Sequence, residues 1–230
     1  MIRSLPSKIF WGTRRFFLPK PQKDLHFYCL GLDIVRYSNR ATSVQCEMVE
    51  KIHNLIENAK TLERVKRRQV IFLPTGDGMI ICLMTPGSSP RIMIDLAREI
   101  QTNLIKHNEK LNEEEKIVVR MGLHSGTGSS YVDINSSINV AGTVANVTQR
   151  VTAFGEDWHI LASKNAYDDI GTLSTEVRTI FHNAGLGEAK HKNIIEIYNL
   201  YQTGESPFGN PEKPEQIKPL KPDVGTEAVS

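Results

Sequence analysis

The segment VIFLPTGDGMIICLM, residues 70–84, is the part of the sequence that decides the fold. Two apolar runs, 70–73 and 79–84, flank the letters PTGDG, whose proline and glycines are typical of a tight turn. The segment is therefore predicted to be a β-hairpin with buried strands. Its turn carries one carboxylate, Asp77, between two glycines that leave the backbone room to approach a ligand.

Helical and strand patterns alternate on both sides of this hairpin. Before it, FYCLGLD (27–33) predicts a buried strand and 39–68 has helical periodicity. After it, a helical pattern at 90–106 precedes a strand at 117–124. This order predicts an α+β fold, a ferredoxin-like βαββαβ core with a C-terminal α/β extension. The extension is predicted to contain a helix at 142–154, a strand at 159–162, a helix from Ser163, and strands at 176–181 and 194–201.

The chain divides by composition into three segments. Residues 25–202 are predicted to form the folded domain. Residues 203–230 are rich in Pro, Lys, Glu and Gly, which predicts a disordered tail. Residues 1–24 are basic and aromatic, and we expect them to pack on the domain or on a partner subunit, with contact to a membrane surface as the alternative. The expected anchors are Ile9, Phe10, Trp11, Phe16 and Phe17.

Composition excludes several functional classes. The net charge of +2 and the single basic cluster at 64–68 argue against nucleic-acid binding. No apolar run reaches the length of a membrane span, and the N-terminus lacks the apolar core of a signal peptide. Cys29, Cys46 and Cys82 fit neither a zinc site nor a disulfide framework. We therefore expect a reducing, cytoplasmic location.

Two carboxylates are candidates for a metal site. Asp33 ends the first predicted strand, and Asp77 lies in the hairpin turn. Those strands are neighbours in a βαββαβ sheet, so both carboxylates can converge at one end of it. Convergent carboxylates without His or Cys suit Mg²⁺ or Mn²⁺. Taken singly, Asp33 is as well explained as a cap and Asp77 as a turn former.

Five stretches, in this order, resemble the class III adenylate/guanylate cyclase catalytic domain. They are LDIVRYS (32–38), GD (76–77), RMGLHSG (120–126), GTVANVTQR (142–150) and KHKN followed by Tyr198 (190–198). Each is weak alone, but the ordered set spans about residues 27–201 and is specific. No P-loop lysine follows any glycine run, and the glycines do not form a dinucleotide-binding loop.

The resemblance implies a chemistry for these residues. Two divalent metal ions, Mn²⁺ or Mg²⁺, would be bound by Asp33, Asp77 and the carbonyl of Ile34. Lys192 would hold the terminal phosphates, with Lys190 a weaker choice. The chain would enter a helix after the first motif, where backbone amides face the β- and γ-phosphates. Those amides belong to Val35, Arg36, Tyr37 and Ser38.

The fourth motif places two functional side chains on one helical face, since they lie four residues apart. By resemblance, Arg150 stabilises the charge of the transition state and Asn146 orients the ribose. The third motif is assigned to scaffolding and tight turns, with its histidine expected to be packed. Its members are Arg120, Gly122, His124 and Gly126.

The resemblance also implies a homodimer. In this family the metal carboxylates come from one subunit and the Asn/Arg pair from the other. This chain keeps both sets, so a head-to-tail twofold dimer would hold two complete sites, and a monomer would be inactive.

Two positions that read the purine in the best-known family members are Leu73 and Asn139 here. The charged residues of adenylate and guanylate cyclases are missing, while Asn139 can donate and accept hydrogen bonds. The chain resembles the stand-alone pyrimidine cyclases of bacterial anti-phage systems, in which cUMP or cCMP activates a separate effector. This favours UTP, then CTP, then ATP as substrate. Leu73 and Asn139 could instead be core or loop residues.

Three other functions remain open. A diguanylate-cyclase-like or polymerase-like palm domain shares the βαββαβ core. Such a domain is expected to have a G-G-[DE]-[EF] hairpin, whereas this chain has TGDG at 75–78. An adenylate cyclase is the nearest enzymatic alternative. A catalytically silent nucleotide-binding or dimerisation module is the non-enzymatic one, and retention of all four polar site residues argues against it.

Overall fold

A single sheet organises the parts of the chain that the computed structural model describes, residues 21–85, 89–173, 175–189 and 193–220. Its strand order is β2-β3-β1-β4-β6-β8-β7-β9, with β5 paired to β4. The strands are β1 (Leu25–Ile34), β2 (Val70–Pro74), β3 (Gly78–Met84), β4 (Val119–Val132), β5 (Ile138–Ala141), β6 (Ile160–Ser163), β7 (Phe181–Ala189), β8 (Asn193–Leu200) and β9 (Ile217–Lys218). The helices are α1 (Thr42–Glu57), α2 (Lys60–Glu63), α3 (Arg91–Asn108), α4 (Thr143–Ala153), α5 (Lys164–Gly171) and α6 (Thr175–Arg178). The five predicted N-terminal anchors, Lys190, Lys192 and residues 221–230 lie outside the described residues.

The β-hairpin predicted for residues 70–84 is confirmed. Its strands β2 and β3 pair antiparallel, and the amide of Thr75 donates to the carbonyl of Gly78 across the turn at 3.0 Å. Strand β1 lies between β3 and β4 and is antiparallel to both. In that register Asp33 is opposite Gly78 on one side and Arg120 on the other. The strands carrying the two candidate carboxylates are therefore neighbours, as expected.

Helices cover the two faces of the sheet. The apolar stripes of α1 and α3 pack on one face, through residues such as Ile52 and Leu96, and form the larger core. On the other face α4 packs very close to β1 and β4. A Cβ atom added at Gly122 would lie 2.4 Å from the backbone nitrogen of Thr152, and one at Gly31 would lie 2.2 Å from the Thr152 hydroxyl. Glycine at both positions is what allows this helix to approach the sheet.

Several element boundaries differ from those predicted. The helix expected over 39–68 ends at Glu57, and the short α2 follows. Strand β4 continues through the Gly-rich stretch to Val132, because β5 and the polar groups of Gln22 and Asp24 pair with its second half. Residues 176–181 do not form the predicted strand: α6 occupies their first half, and β7 begins at Phe181. None of the helices in the described ranges is both long and apolar enough to cross a lipid bilayer.

The segment 203–220 packs on the sheet, unlike the disordered tail expected from its composition. Phe208 and Ile217 are buried, and β9 pairs with β7. The side-chain amide of Asn199 in β8 donates to the carbonyls of Asn210 and Glu212. These contacts, together with the bond from the Gly209 amide to the side-chain oxygen of Gln101, hold a segment that is otherwise polar.

Candidate active site

Asp33 and Asp77 lie together at one end of the sheet. Asp33 is near the end of β1, Asp77 is in the turn between β2 and β3, and the amide of Ile34 donates to the carbonyl of Asp77 at 3.2 Å. Both carboxylates line a cavity of about 290 Å³. Its other lining residues are Gly31, Leu32, Thr75, Ile80, Arg120, Gln149, Thr152 and Ala153.

Arg120, which the motif assigned to scaffolding, also lines this cavity. Its guanidinium donates to Oδ2 of Asp33, with Nε at 2.8 Å and a terminal nitrogen at 2.6 Å. It also donates to the carbonyls of Ala153 and Gly155 beyond the end of α4. Burial raises the pKa of Asp33, the contact with Arg120 opposes that rise, and the nearby Asp77 adds to it. Sequence reasoning identified Arg120 only as the first residue of the third motif, because its position opposite Asp33 depends on the register of β1 and β4.

The residues present fit a pair of hard divalent cations that share ligands with a substrate. In the described ranges no three His, Cys, Asp or Glu side chains form a ready-made metal cage. Mg²⁺ needs no such cage, since it is usually held by one or two carboxylates together with substrate phosphates and water. Asp33 and Asp77 supply that arrangement. Burial and mutual repulsion oppose the charged form of Asp33, and a bound cation would relieve both effects.

The loop after β1 differs in detail from the predicted phosphate cradle. The amide of Val35 donates to the carbonyl of Val118 at 2.9 Å, so it is not free to meet a phosphate. A 3-10 turn, Tyr37–Asn39, follows, and α1 begins only at Thr42, so the predicted helix N-terminus is not directly behind the loop. Within the described residues the amides of Arg36, Tyr37 and Ser38 make no hydrogen bond.

Asn146 and Arg150 line a different cavity. They lie on the side of α4 opposite its sheet-facing residues Val144 and Thr148, and they border a space of about 530 Å³ that also touches Ala189 at the end of β7. Neither residue lines the cavity of Asp33 and Asp77. Gln149 and Ala153 border both cavities, so the two spaces are adjacent along α4, with the carboxylates in one and the Asn/Arg pair in the other.

The two predicted base-reading residues lie on β2 and β5, which do not pair in the sheet but contact each other. Leu73, only 7% exposed, belongs to an apolar cluster that includes Val140 of β5. Asn139 lies next to Val140, opposite Tyr131 of β4, and its side-chain oxygen accepts from the amide of Val140 at 2.8 Å. Leu73 is thus a core residue as well as a candidate base contact, and the amide nitrogen of Asn139 is its available donor.

His124 is a packed histidine, as expected from the motif. It is buried in β4, and its Nδ1 lies 2.7 Å from the hydroxyl of Ser163, which also caps α5. Burial lowers the pKa of His124 to about 4, and the electrostatic interaction with nearby His26 acts in the same direction. His124 does not line the cavity of Asp33 and Asp77.

Residues 29–200 match the family of adenylate and guanylate cyclase catalytic domains. The chain belongs to that family. It is a nucleotidyl cyclase catalytic domain, and the resemblance read from the five motifs is confirmed at this level. Among curated proteins, none matches the sequence.

Solved cyclase domains share the fold at low sequence identity. The adenylyl cyclase CyaB of P. aeruginosa has 13% identity and a TM-score of 0.61, over 81% of this chain and 98% of that chain. The guanylate cyclase domain of RhGC from Catenaria anguillulae, in complex with GTP, has 20% identity and a TM-score of 0.58, over 79% and 97%. Adenylate cyclases of Trypanosoma brucei have 16% identity and a TM-score of 0.58, over 80% and 91%. The predicted α+β fold is confirmed by this likeness.

Catalytic domains of this family act as dimers on nucleoside triphosphates and use two divalent metal ions. Adenine and guanine nucleotides are both represented among the neighbours of this fold. The fold therefore does not select the base, which must be argued from the residues of this chain.

Proposed function

We propose that this chain forms a head-to-tail homodimer that converts a pyrimidine nucleoside triphosphate, UTP before CTP, to its 3′,5′-cyclic monophosphate and pyrophosphate. One observation carries the proposal. Asp33 and Asp77 converge in one cavity, while Asn146 and Arg150 line another. A second copy, related by a twofold axis, would complete each carboxylate cavity with the Asn/Arg pair of its partner.

Asp33, Asp77 and the carbonyl of Ile34 would hold the two ions. When bound, those ions supply Lewis acidity that favours ionisation of the ribose 3′-hydroxyl and neutralises the triphosphate. Arg120 holds Asp33 in its inward orientation and would move toward the phosphates once Asp33 has a metal partner. Arg36, Tyr37 and Ser38 supply the three free amides of the loop, and Lys192 is the proposed contact to the terminal phosphate.

The reaction is an in-line displacement. The 3′-oxygen loses its proton to solvent water and forms a bond to the α-phosphorus, and the bond from that phosphorus to the bridging oxygen of pyrophosphate breaks. Negative charge grows on the phosphoryl oxygens, and Arg150 is the fixed cation assigned to it. Asn146, one helical turn away, orients the ribose so that the 3′-oxygen is in line.

The preference for uracil rests on Asn139 and Leu73. The oxygen of Asn139 is engaged by a backbone amide, so its amide nitrogen is the group offered to a base. That donor matches the O4 acceptor of uracil and faces an amino group in cytosine or adenine. Leu73 contributes only an apolar wall, which cannot pair with the polar edge of a larger purine.

Such a product suits a second messenger. By resemblance to the stand-alone pyrimidine cyclases of anti-phage systems, we propose that cUMP or cCMP activates a separate effector during antiviral defence. An adenylate cyclase is the second candidate, because solved relatives of this fold include adenylyl cyclases.

The test is to incubate the purified protein with Mn²⁺ and, separately, ATP, GTP, CTP and UTP, and to identify products by mass. We expect cUMP as the main product and none from the Asp77→Ala protein, with circular dichroism to show that the variant is folded. Cyclic AMP or cyclic GMP would keep the cyclase and overturn the assignment of Leu73 and Asn139. No cyclic product from any triphosphate would favour the silent module.

A further inference from the structure

Arg36 has a backbone conformation that is unusual for an arginine. It lies in the loop after β1 with φ 59° and ψ 25°, in the left-handed region. Side chains with a Cβ atom avoid this region, whereas glycine enters it freely. The arginine conformation must therefore be held by contacts elsewhere.

One such contact is an ion pair between the guanidinium of Arg36 and the carboxylate of Asp157. The loop is also fixed on either side of Arg36, by the bond from the Val35 amide to Val118 and by the side-chain amide of Gln45, which donates to the carbonyl of Tyr37 at 3.2 Å. Arg36 thus lies between two positions that hydrogen bonds hold in place, and its backbone conformation sets the direction of the loop.

Asp157 belongs to a rigid segment, residues 155–159, which follows α4. His159 is 0% exposed, and its Nδ1 accepts from the amide of Glu156 at 3.0 Å. Its Nε2 therefore carries the proton and donates to the carbonyl of Glu212 at 2.9 Å.

Two further bonds fix this segment from opposite sides. The amide of Trp158 donates to the carbonyl of Val119 in β4 at 2.9 Å. The side chain of Asn210 donates to the carbonyl of Asp157 at 2.9 Å. Asp157 is consequently held by both the sheet and the C-terminal segment, and it can act as a fixed anchor for a more mobile partner.

We propose that Asp157 is a positioning residue for the triphosphate: through Arg36 it holds the loop 35–38 in the conformation that presents its free amides to the phosphates. This inference rests on the proposed function and adds to it a residue outside the five motifs. It also gives the C-terminal segment a part in substrate binding, since that segment supports the anchor.

The exposure of the pair indicates a local role. The side chains of Arg36 and Asp157 are 57% and 42% exposed, and an ion pair this exposed contributes little to global stability. A small free-energy difference is sufficient to decide which backbone conformation a single strained residue adopts. When the competent conformation is populated for only a fraction of the time, the apparent affinity for ligand falls by that fraction.

The experiment is a cycle of two substitutions, Asp157→Asn and Arg36→Gly, measured as kcat and KM with Mn²⁺ and the triphosphate that the wild type cyclises. We expect Asp157→Asn to raise KM by about fivefold with kcat unchanged within about twofold. In the Arg36→Gly background the same substitution should change KM by less than about twofold, because glycine needs no anchor to adopt this conformation.

Asp168→Asn is the matched control. It removes the carboxylate of another exposed ion pair, with Lys164 on α5, and should leave both constants unchanged. An equal effect of Asp157→Asn in both backgrounds, or no effect in either, would overturn the positioning role. A KM for Arg36→Gly alone as high as that of Asp157→Asn would overturn it as well, since the guanidinium would then bind the triphosphate directly.

A binding readout separates this inference from the proposed function. The readout is titration calorimetry with Mn²⁺ and the α,β-methylene analogues of UTP and ATP, which cannot be cyclised. Asp157→Asn should weaken binding of these analogues when Arg36 is present and should not weaken it in the Arg36→Gly background. That loss in a protein that makes no cyclic product would support the inference and contradict the function. If the wild type makes a cyclic product but Asp157→Asn changes neither Kd nor KM, the function would be supported and the inference contradicted. Absence of triphosphate binding by the wild type would overturn both.

Discussion

Three influences act on the pKa of Asp33, and they do not all act in the same direction. Burial and Asp77 disfavour its charged form, and Arg120 favours it through two short hydrogen bonds. This balance keeps a carboxylate ready for a cation inside a partly enclosed cavity. Arg150 lies apart from it on α4, so its contribution to catalysis can be tested without disturbing the carboxylates.

Arg150→Ala should lower kcat by about a hundredfold or more, because a fixed cation at the developing phosphoryl charge is lost. KM should change little if the guanidinium acts mainly in the transition state. Steady-state kinetics with Mn²⁺ would measure both. Arg178→Ala, which removes an exposed arginine next to Tyr167, is the control. Turnover of Arg150→Ala near that of the wild type would contradict the assigned role.

His124 should make stability dependent on pH. Its pKa is about 4 in the folded protein, below the usual value, because burial and His26 disfavour the charged form and Asp169 only partly compensates. The unfolded state therefore takes up a proton first as the pH falls. The free energy of unfolding should be fully present above pH 7 and should decline between about pH 6.5 and pH 4.

Urea unfolding at pH 7 and pH 5 would measure this effect. We expect His124 to account for a loss of about 2 kcal/mol at most between these two values. His124→Gln, which keeps a polar group near Ser163, should lose correspondingly less stability over the same interval. The same pH dependence in both proteins would show that other groups cause it.

The packing of α4 is the decisive feature at the level of elements. The helix carries Asn146 and Arg150 on one side, and its other side touches β1 and β4 where Gly31 and Gly122 leave no side chain in the way. Thr152 is the point of closest approach. Any displacement of the helix would move both proposed functional residues.

Gly122→Ala should therefore destabilise the protein by about 3 kcal/mol, since the new Cβ atom would lie 2.4 Å from backbone that cannot move independently. Gly126→Ala on the same strand is the matched control, because the nearest atom to its Cβ would be a histidine ring nitrogen at 3.3 Å and it would meet no backbone atom within 4 Å among its three nearest contacts. Urea denaturation would compare the two proteins. Equal losses would argue against close packing of α4 as the cause.

Elements with a strong apolar period could be predicted from the sequence. The hairpin of β2 and β3, the strand β1 and the helix α3 follow directly from their patterns, and so does the adjacency of Asp33 and Asp77. The course of 203–220 could not be predicted, because its order depends on distant partners such as Asn199 and β7. The continuation of β4 likewise depends on pairing with β5.

Several features of the candidate site also could not be predicted from the sequence. Arg120 was visible only as a motif letter, and its contact with Asp33 depends on the register of β1 and β4. The engagement of the Val35 amide by Val118 is a tertiary contact with no local signal. Asp157 lies outside all five motifs. The proposed roles of the remaining site residues stay predictions.

At the scale of the whole molecule, the proposed function requires a dimer, because neither Asn146 nor Arg150 lines the cavity of Asp33 and Asp77. Asp77→Ala and Arg150→Ala proteins should each be nearly inactive, and an equal mixture should regain about a quarter of wild-type activity. Half of the dimers would be mixed, and each would hold one intact site of two. Cyclase assays after subunit exchange would measure this recovery.

A mixture of Asp33→Ala and Asp77→Ala is the control. Both substitutions damage the same set of side chains, so every site in a mixed dimer lacks one carboxylate. That mixture should stay inactive. No recovery in the first mixture, despite exchange shown by mass spectrometry of differently tagged subunits, would contradict the shared site.

The packing of β9 on β7 has a practical consequence for protein production. The family match ends at residue 200, which makes that position an obvious place to truncate the gene. A protein cut there would lose β9 and Phe208 and would leave β7 as an edge strand, paired only with β8. Exposed strand edges pair with one another between molecules. The shorter protein should therefore form insoluble aggregates during expression, whereas one ending after residue 220 should remain monodisperse.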